Sequence, residues 1–140
     1  LASLIIVVIA LLPTLMYVFT IKSLSTGGID GGGIAGAYIG LVFLSAAFTA
    51  IGICCSSFTN NAVVAFLSSA FACFILYNGF TTISGIPSLQ GGWDYFIEMI
   101  GINFHYRSLS RGAVDSRDMI YFLSIIVLFL FITRKKLLNR

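Results

Sequence analysis

The chain has 140 residues, 59% of them hydrophobic and only 9% charged, with a mean hydropathy of +1.03. Soluble domains carry roughly 25% charged residues, so this composition excludes a soluble globular protein and puts the chain in a bilayer. The net charge of +3, from eight bases and five acids, is too small and too dispersed to point to nucleic acid.

The first apolar run, 1–19, is long enough to cross the hydrocarbon core, for which about 20 apolar residues suffice. It is entered without a basic n-region and so lacks the layout of a signal peptide, and its start is expected to be internal to a longer protein. Pro13 is expected to kink this helix, because proline removes a backbone donor yet is tolerated in membrane helices. TIKSLSTGGIDGGG then reads as a glycine-rich linker.

A second span is predicted over 34–57 and a third over 62–83. FTNNA between them is a tight turn in which Asn60 or Asn61 can cap the following helix, so the two spans should form a close antiparallel hairpin. Gly32, Gly36 and Gly40 recur at intervals of four, followed by Ala46 and Ala50, and such a small-residue stripe allows a neighbouring helix to approach closely. The expected use is packing within the chain, with a subunit interface as the alternative.

The segment 84–114 is polar enough to leave the hydrocarbon. Within it, WDYFIEMIGINFHY has helical rhythm, with Asp94, Glu98, Gly101 and His105 on one face and apolar residues on most of the rest. A helix of that kind either lies in the interface and dips partway into the membrane, or packs against the bundle as an ordinary helix.

FHYRSLSRGAVDSRDMIYF collects Arg107, Arg111, Asp115, Arg117 and Asp118 in a chain otherwise averse to charge. Asp115, with Asp118 three residues on, resembles a capping box that starts the last helix at Ser116, giving a fourth span over 116–138. Acids at its start and Arg134, Lys135 and Lys136 at its end both favour the helix dipole. Four crossings put both termini on one side, and the bases divide equally between the two sides. The C-terminus is placed in the cytoplasm because RKK abuts a helix end, whereas three of the opposing bases have Asp115 and Asp118 beside them.

Several motifs carry little. Gly31, Gly33 and Gly36 satisfy GxGxxG, but no strand precedes them and no acid follows about 20 residues on, so no dinucleotide cofactor is implied. No GxxxxGK[ST] occurs. Cys54, Cys55 and Cys73 lie in apolar runs without metal-ligand spacing and read as small hydrophobes. His105, the single histidine, has no Ser or Cys partner at a recognisable spacing and is expected to make an interfacial polar contact. No span carries an intramembrane Asp, Glu, Lys or Arg of the kind that marks an ion path.

GINFHYRSLSRGAVDSRDMIYFLSIIVLFLFITRKKLLNR resembles the C-terminal end of ABC-2 type transporter permeases, and GGIDGGGIAGAYIGLVFLSAAFTAIGICCSSFTNNAVVAF resembles the spans before it. Within these permeases the closest resemblance is to the gliding-motility-associated GldF subunits of Bacteroidetes, and it rests on stretches of apolar sequence together with GGIDGGG and SRGAVDSRD. It implies an all-α polytopic bundle in the bacterial inner membrane, with this chain supplying the last four of six spans and 84–114 forming an external loop of short re-entrant helices. It further implies a second permease subunit and a separate ABC ATPase as partners beside membrane lipid, with ATP hydrolysis in the partner chain and the coupling helix before the first span seen here. Asp94, Glu98, Arg107, Arg111, Asp115 and Asp118 become the candidates for holding the re-entrant segment against the last span. The alternative is a non-transporting anchor or scaffold in a motility or secretion apparatus.

Overall fold

The computed structural model describes residues 2–25, 30–86, 93–112 and 115–139. Among them the chain is all-α, with helices α1 (Ala2–Leu24), α2 (Gly31–Phe58), α3 (Ala62–Ser84), α4 (Trp93–Ile100), α5 (Ile102–Ser110) and α6 (Ser116–Leu138). Four of these, α1, α2, α3 and α6, are long and apolar enough to cross a membrane. The fold is a polytopic membrane helix bundle with two short helices inserted before the last span.

Local chemistry sets the helix ends. Asp30 caps α2 by accepting from Gly32 N (3.1 Å) and Gly33 N (3.2 Å), so the helix starts at Gly31, three residues before the apolar run. That cap offsets part of the poor helix propensity of three consecutive glycines, each about 1 kcal/mol worse than alanine. Asn61 rather than Asn60 caps α3, accepting from Val63 N and Val64 N. The first helix runs unbroken through Pro13 and extends to Leu24, past the predicted end at residue 19, taking in part of the expected linker. Residues 26–29 of that linker lie outside the described residues.

Two features had no counterpart in the sequence reading. α3 contains a π-helical stretch, Ile75–Gly79, before it resumes as Phe80–Ser84. WDYFIEMIGINFHY is not one helix: it breaks at Gly101, whose ψ of 140° is extended, separating α4 from α5. The single face expected to carry Asp94, Glu98, Gly101 and His105 is therefore divided between two helices.

The central helices are α2 and α6. α1 and α3 contain no buried residue, and their large apolar side chains, such as Met16, Phe19, Phe66 and Phe71, face outward as lipid-facing spans require. α1 meets α2 through a hydrogen bond between the Thr14 and Tyr38 hydroxyls (2.7 Å). The fully buried cluster joins Ala47 of α2, Ile102 and Leu109 of α5, and Phe122 of α6. The main buried cluster thus lies where the short helices insert, and buried Ala50, Ile51, Cys54 and Thr133 continue the α2–α6 contact along the spans.

A candidate re-entrant lock

α4 and α5 form a hairpin wedged into one end of the bundle. Leu109 packs at Gly40, nine residues into α2, and Phe122 is buried six residues into α6. At 1.5 Å per residue the hairpin therefore descends about 9–14 Å below the ends of those spans. An insertion this deep has to satisfy its backbone and polar side chains internally.

Glycine makes the approach to α2 possible. A Cβ on Gly36 would fall inside van der Waals contact of the Leu109 carbonyl oxygen and 3.0 Å from Gly112 Cα. Gly112 turns the chain out of α5 with φ +81°, in the left-handed region, and a Cβ there would lie 2.7 Å from Gly33 N. Gly40 is looser, 3.3 Å from Leu109 Cβ. Two of the three stripe glycines, Gly36 and Gly40, thus receive a helix of the same chain. A Cβ on Gly32 would meet only the helix's own cap, Asp30. Farther along, Ala47 and Ala50 are the buried alanines, and Ala46 is only partly covered.

Polar contacts close the other sides. Toward α3, Asn103 Nδ2 donates to the Thr81 hydroxyl (3.4 Å). Toward α6, the Tyr121 hydroxyl donates to the Ile100 carbonyl, and the Tyr121 ring lies on His105, with centroids 3.8 Å apart and planes 23° off parallel. His105 and Asp118, each only 5% exposed, meet at 2.6 Å between Nδ1 and Oδ1.

The protonation of this pair follows from its neighbours. His105 Nε2 is 2.9 Å from the Met99 carbonyl oxygen, which can only accept, so Nε2 carries a hydrogen. One further proton lies between Nδ1 and Oδ1, giving either imidazolium and carboxylate or imidazole and carboxylic acid. Both forms are neutral overall, which is what a buried pair at a membrane boundary requires. Neither ring nitrogen is left to exchange a proton with a substrate, so the arrangement is suited to holding the hairpin and not to acid–base catalysis. Asp118 Oδ2 is buried without a protein partner.

Asp118 therefore does not complete the expected capping box. Asp115 does cap α6, accepting from Arg117 N (3.1 Å), but the Asp118 side chain points to His105. Of the remaining candidates, Arg107, Arg111 and Asp115 are exposed and Asp94 and Glu98 are half-buried. Arg111 closes the C-terminus of α5. Arg107 pairs with Glu98 within the hairpin at 3.9 Å, an exposed contact of the kind worth at most about 1 kcal/mol. Asp94 lies in the first turn of α4. Of the charged candidates, only Asp118 makes a described ion pair between the hairpin and the last span. Burial, and then the nearby Tyr77 phenol, raise the Tyr106 pKa, so this hairpin phenol stays neutral beside Tyr77.

Sequence reasoning missed the partnership of His105 with Asp118, the stacking by Tyr121 and the role of Gly112. Thirteen positions separate His105 from Asp118, so no local spacing announces the contact. A lone histidine and an acid flanking a span were the available signals. No protein-family model, curated protein or solved structure matches the chain.

Proposed function

We propose that this chain is the membrane-spanning, C-terminal part of an ABC-2 type permease of the gliding-motility-associated kind. It would move a substrate across the bacterial inner membrane together with a second permease subunit and a separate ATPase, its own C-terminus being cytoplasmic. The observation that carries the reading is the α4–α5 hairpin, which descends between α2, α3 and α6 just before the last span. Such short re-entrant helices at that position are what the resemblance of SRGAVDSRD and its surroundings implies.

The geometry constrains how such a permease works. Three sides of the hairpin are fixed, by Gly33 and Gly36 on α2, Thr81 on α3, and Asp118 with Tyr121 on α6. A hairpin held in this way does not swing independently. Alternating exposure of a pathway would instead move α2, α6 and the hairpin as one body against the partner permease, with nucleotide binding in the ATPase biasing the equilibrium.

Reconstitution of the full-length protein with its candidate ATPase in lipid vesicles tests this. The expected result is ATP hydrolysis that depends on the permease and on its cytoplasmic loops. Hydrolysis indifferent to both would make the chain a membrane anchor or scaffold.

A further inference from the structure

The topology sorts the chain's charges unequally. α1, α2, α3 and α6 alternate in direction, so the start of α1, the α2–α3 turn and the end of α6 share one end of the bundle. All five acids, Asp30, Asp94, Glu98, Asp115 and Asp118, belong to the other end, along with Lys22, Arg107, Arg111 and Arg117. Four bases less five acids gives −1 there. Among the described residues the first end has Arg134, Lys135 and Lys136 and no acid, hence +3.

At that basic end is a groove of about 550 Å³ between the C-terminal turns of α2 and α6, lined by Ser57, Phe58, Phe131, Lys135, Lys136 and Asn139, among others. Its chemistry is graded. Phe131, 64% exposed, and Phe58 form apolar walls on the membrane side, while the two lysines and the Ser57 and Asn139 side chains stand at the boundary. Lys136 Nζ is held over the Phe58 ring, 5.2 Å from its centroid, and among the described residues neither lysine has a carboxylate partner. Cationic heads above an aromatic cleft at a bilayer surface match one ligand class in both charge and polarity.

We propose that this groove binds an anionic phospholipid, with the headgroup phosphate between Lys135 and Lys136 and an acyl chain against Phe131 and Phe58. The site requires only the four-span arrangement and is independent of the transport reading. Lipid is favoured over a free phosphate because the aromatic walls would contribute nothing to a small hydrophilic ion. It is favoured over an acidic protein surface because the groove opens along the lipid-facing side of α6, where Phe131 is exposed.

The test is native mass spectrometry of the purified full chain in micelles, exposed to equal amounts of phosphatidylglycerol and phosphatidylcholine with identical acyl chains. Retention of phosphatidylglycerol over phosphatidylcholine is expected. Lys135→Gln with Lys136→Gln should weaken that retention by roughly fivefold per lysine, the factor equivalent to about 1 kcal/mol per basic residue at an anionic surface. Lys22→Gln with Arg117→Gln, which removes the same charge from the opposite end, should leave retention unchanged. Phe131→Ala should weaken it without altering charge, and millimolar inorganic phosphate should not displace the lipid. Helical circular dichroism and monodisperse elution establish that each variant is folded. Equal retention of the two lipids overturns the proposal, as does equal loss from charge removal at either end. Displacement by inorganic phosphate overturns it too, by assigning the site to a free anion. So does lost ATPase copurification in the lysine variant with lipid retention intact, which would assign the groove to a protein partner.

Discussion

The imidazole of His105 on α5 and the carboxylate of Asp118 on α6 meet at 2.6 Å, joining the α4–α5 hairpin to the last span through a buried pair. The Tyr121 ring covers one face of the imidazole, and the Met99 carbonyl takes its second nitrogen. The imidazole is thereby held by groups beyond Asp118 itself. A buried pair is a poor source of net stability compared with apolar packing, but it is costly to break, because removing one member leaves the other buried and uncompensated.

His105→Ala and Asp118→Ala are each expected to destabilise the protein by about 3–5 kcal/mol. The double substitution should cost far less than the sum of the two, since it strands no charge. Tyr121→Phe retains the stack and loses the hydrogen bond to the Ile100 carbonyl, for about 1 kcal/mol. Thermal unfolding in micelles, arranged as a double-mutant cycle, measures all four. Additive costs for His105 and Asp118 would show that the two act independently.

The α2 glycines give a graded series. Gly36→Ala drives a methyl group into backbone atoms of Leu109 and Gly112, which cannot yield as a flexible side chain would, and a cost of about 3 kcal/mol is expected. Gly40→Ala meets only side chains of Leu109 and Tyr106 at 3.3–3.4 Å and should cost less. Gly52→Ala enters open space in mid-helix and should be neutral or stabilising by up to about 1 kcal/mol. Melting temperatures that fail to fall in the order Gly52, Gly40, Gly36 would contradict the close approach of α5.

How far these features were legible in the sequence depended on the range of the interaction behind them. The spans are set by the length of apolar runs, and the caps at Asn61 and Asp115 by contacts two or three residues away, so both can be read directly from the chain. The stripe Gly36 and Gly40 announced a close neighbour without saying which, because α5 lies some seventy residues downstream. The break at Gly101 was hidden by a polar pattern that continued across it with helical spacing. Asp118 was misread because a local explanation, the capping box, stood ready for a residue whose actual partner is thirteen positions back.

The disposition of the two ends can be checked by cysteine labelling. Arg107, on the hairpin, and Asn139, after the end of α6, are both exposed and lie at opposite ends of the bundle. In a background with Cys54, Cys55 and Cys73 replaced by alanine, an impermeant maleimide should label Arg107→Cys and Asn139→Cys from opposite sides of the membrane. Labelling of both from one side would be incompatible with α6 as a span.

Substitutions at the start of α6 separate helix capping from hairpin fastening. Asp115→Ala removes an oxygen that accepts from Arg117 N and should cost about 1 kcal/mol, whereas Asp115→Ser or Asp115→Asn, good caps in their own right, should restore most of it. At the third helical position a capping box is best served by Glu or Gln, so if Asp118 acted as a cap, Asp118→Gln would be tolerated. Here the side chain must instead bring an acidic oxygen to His105 Nδ1 in a closed space, and glutamine is both neutral and one methylene longer. Asp118→Gln should therefore unfold at nearly the same temperature as Asp118→Ala, well below Asp115→Ala. Stability close to that of the native chain would return Asp118 to a local capping role and leave the hairpin held by glycine packing and the Asn103 and Tyr121 hydrogen bonds.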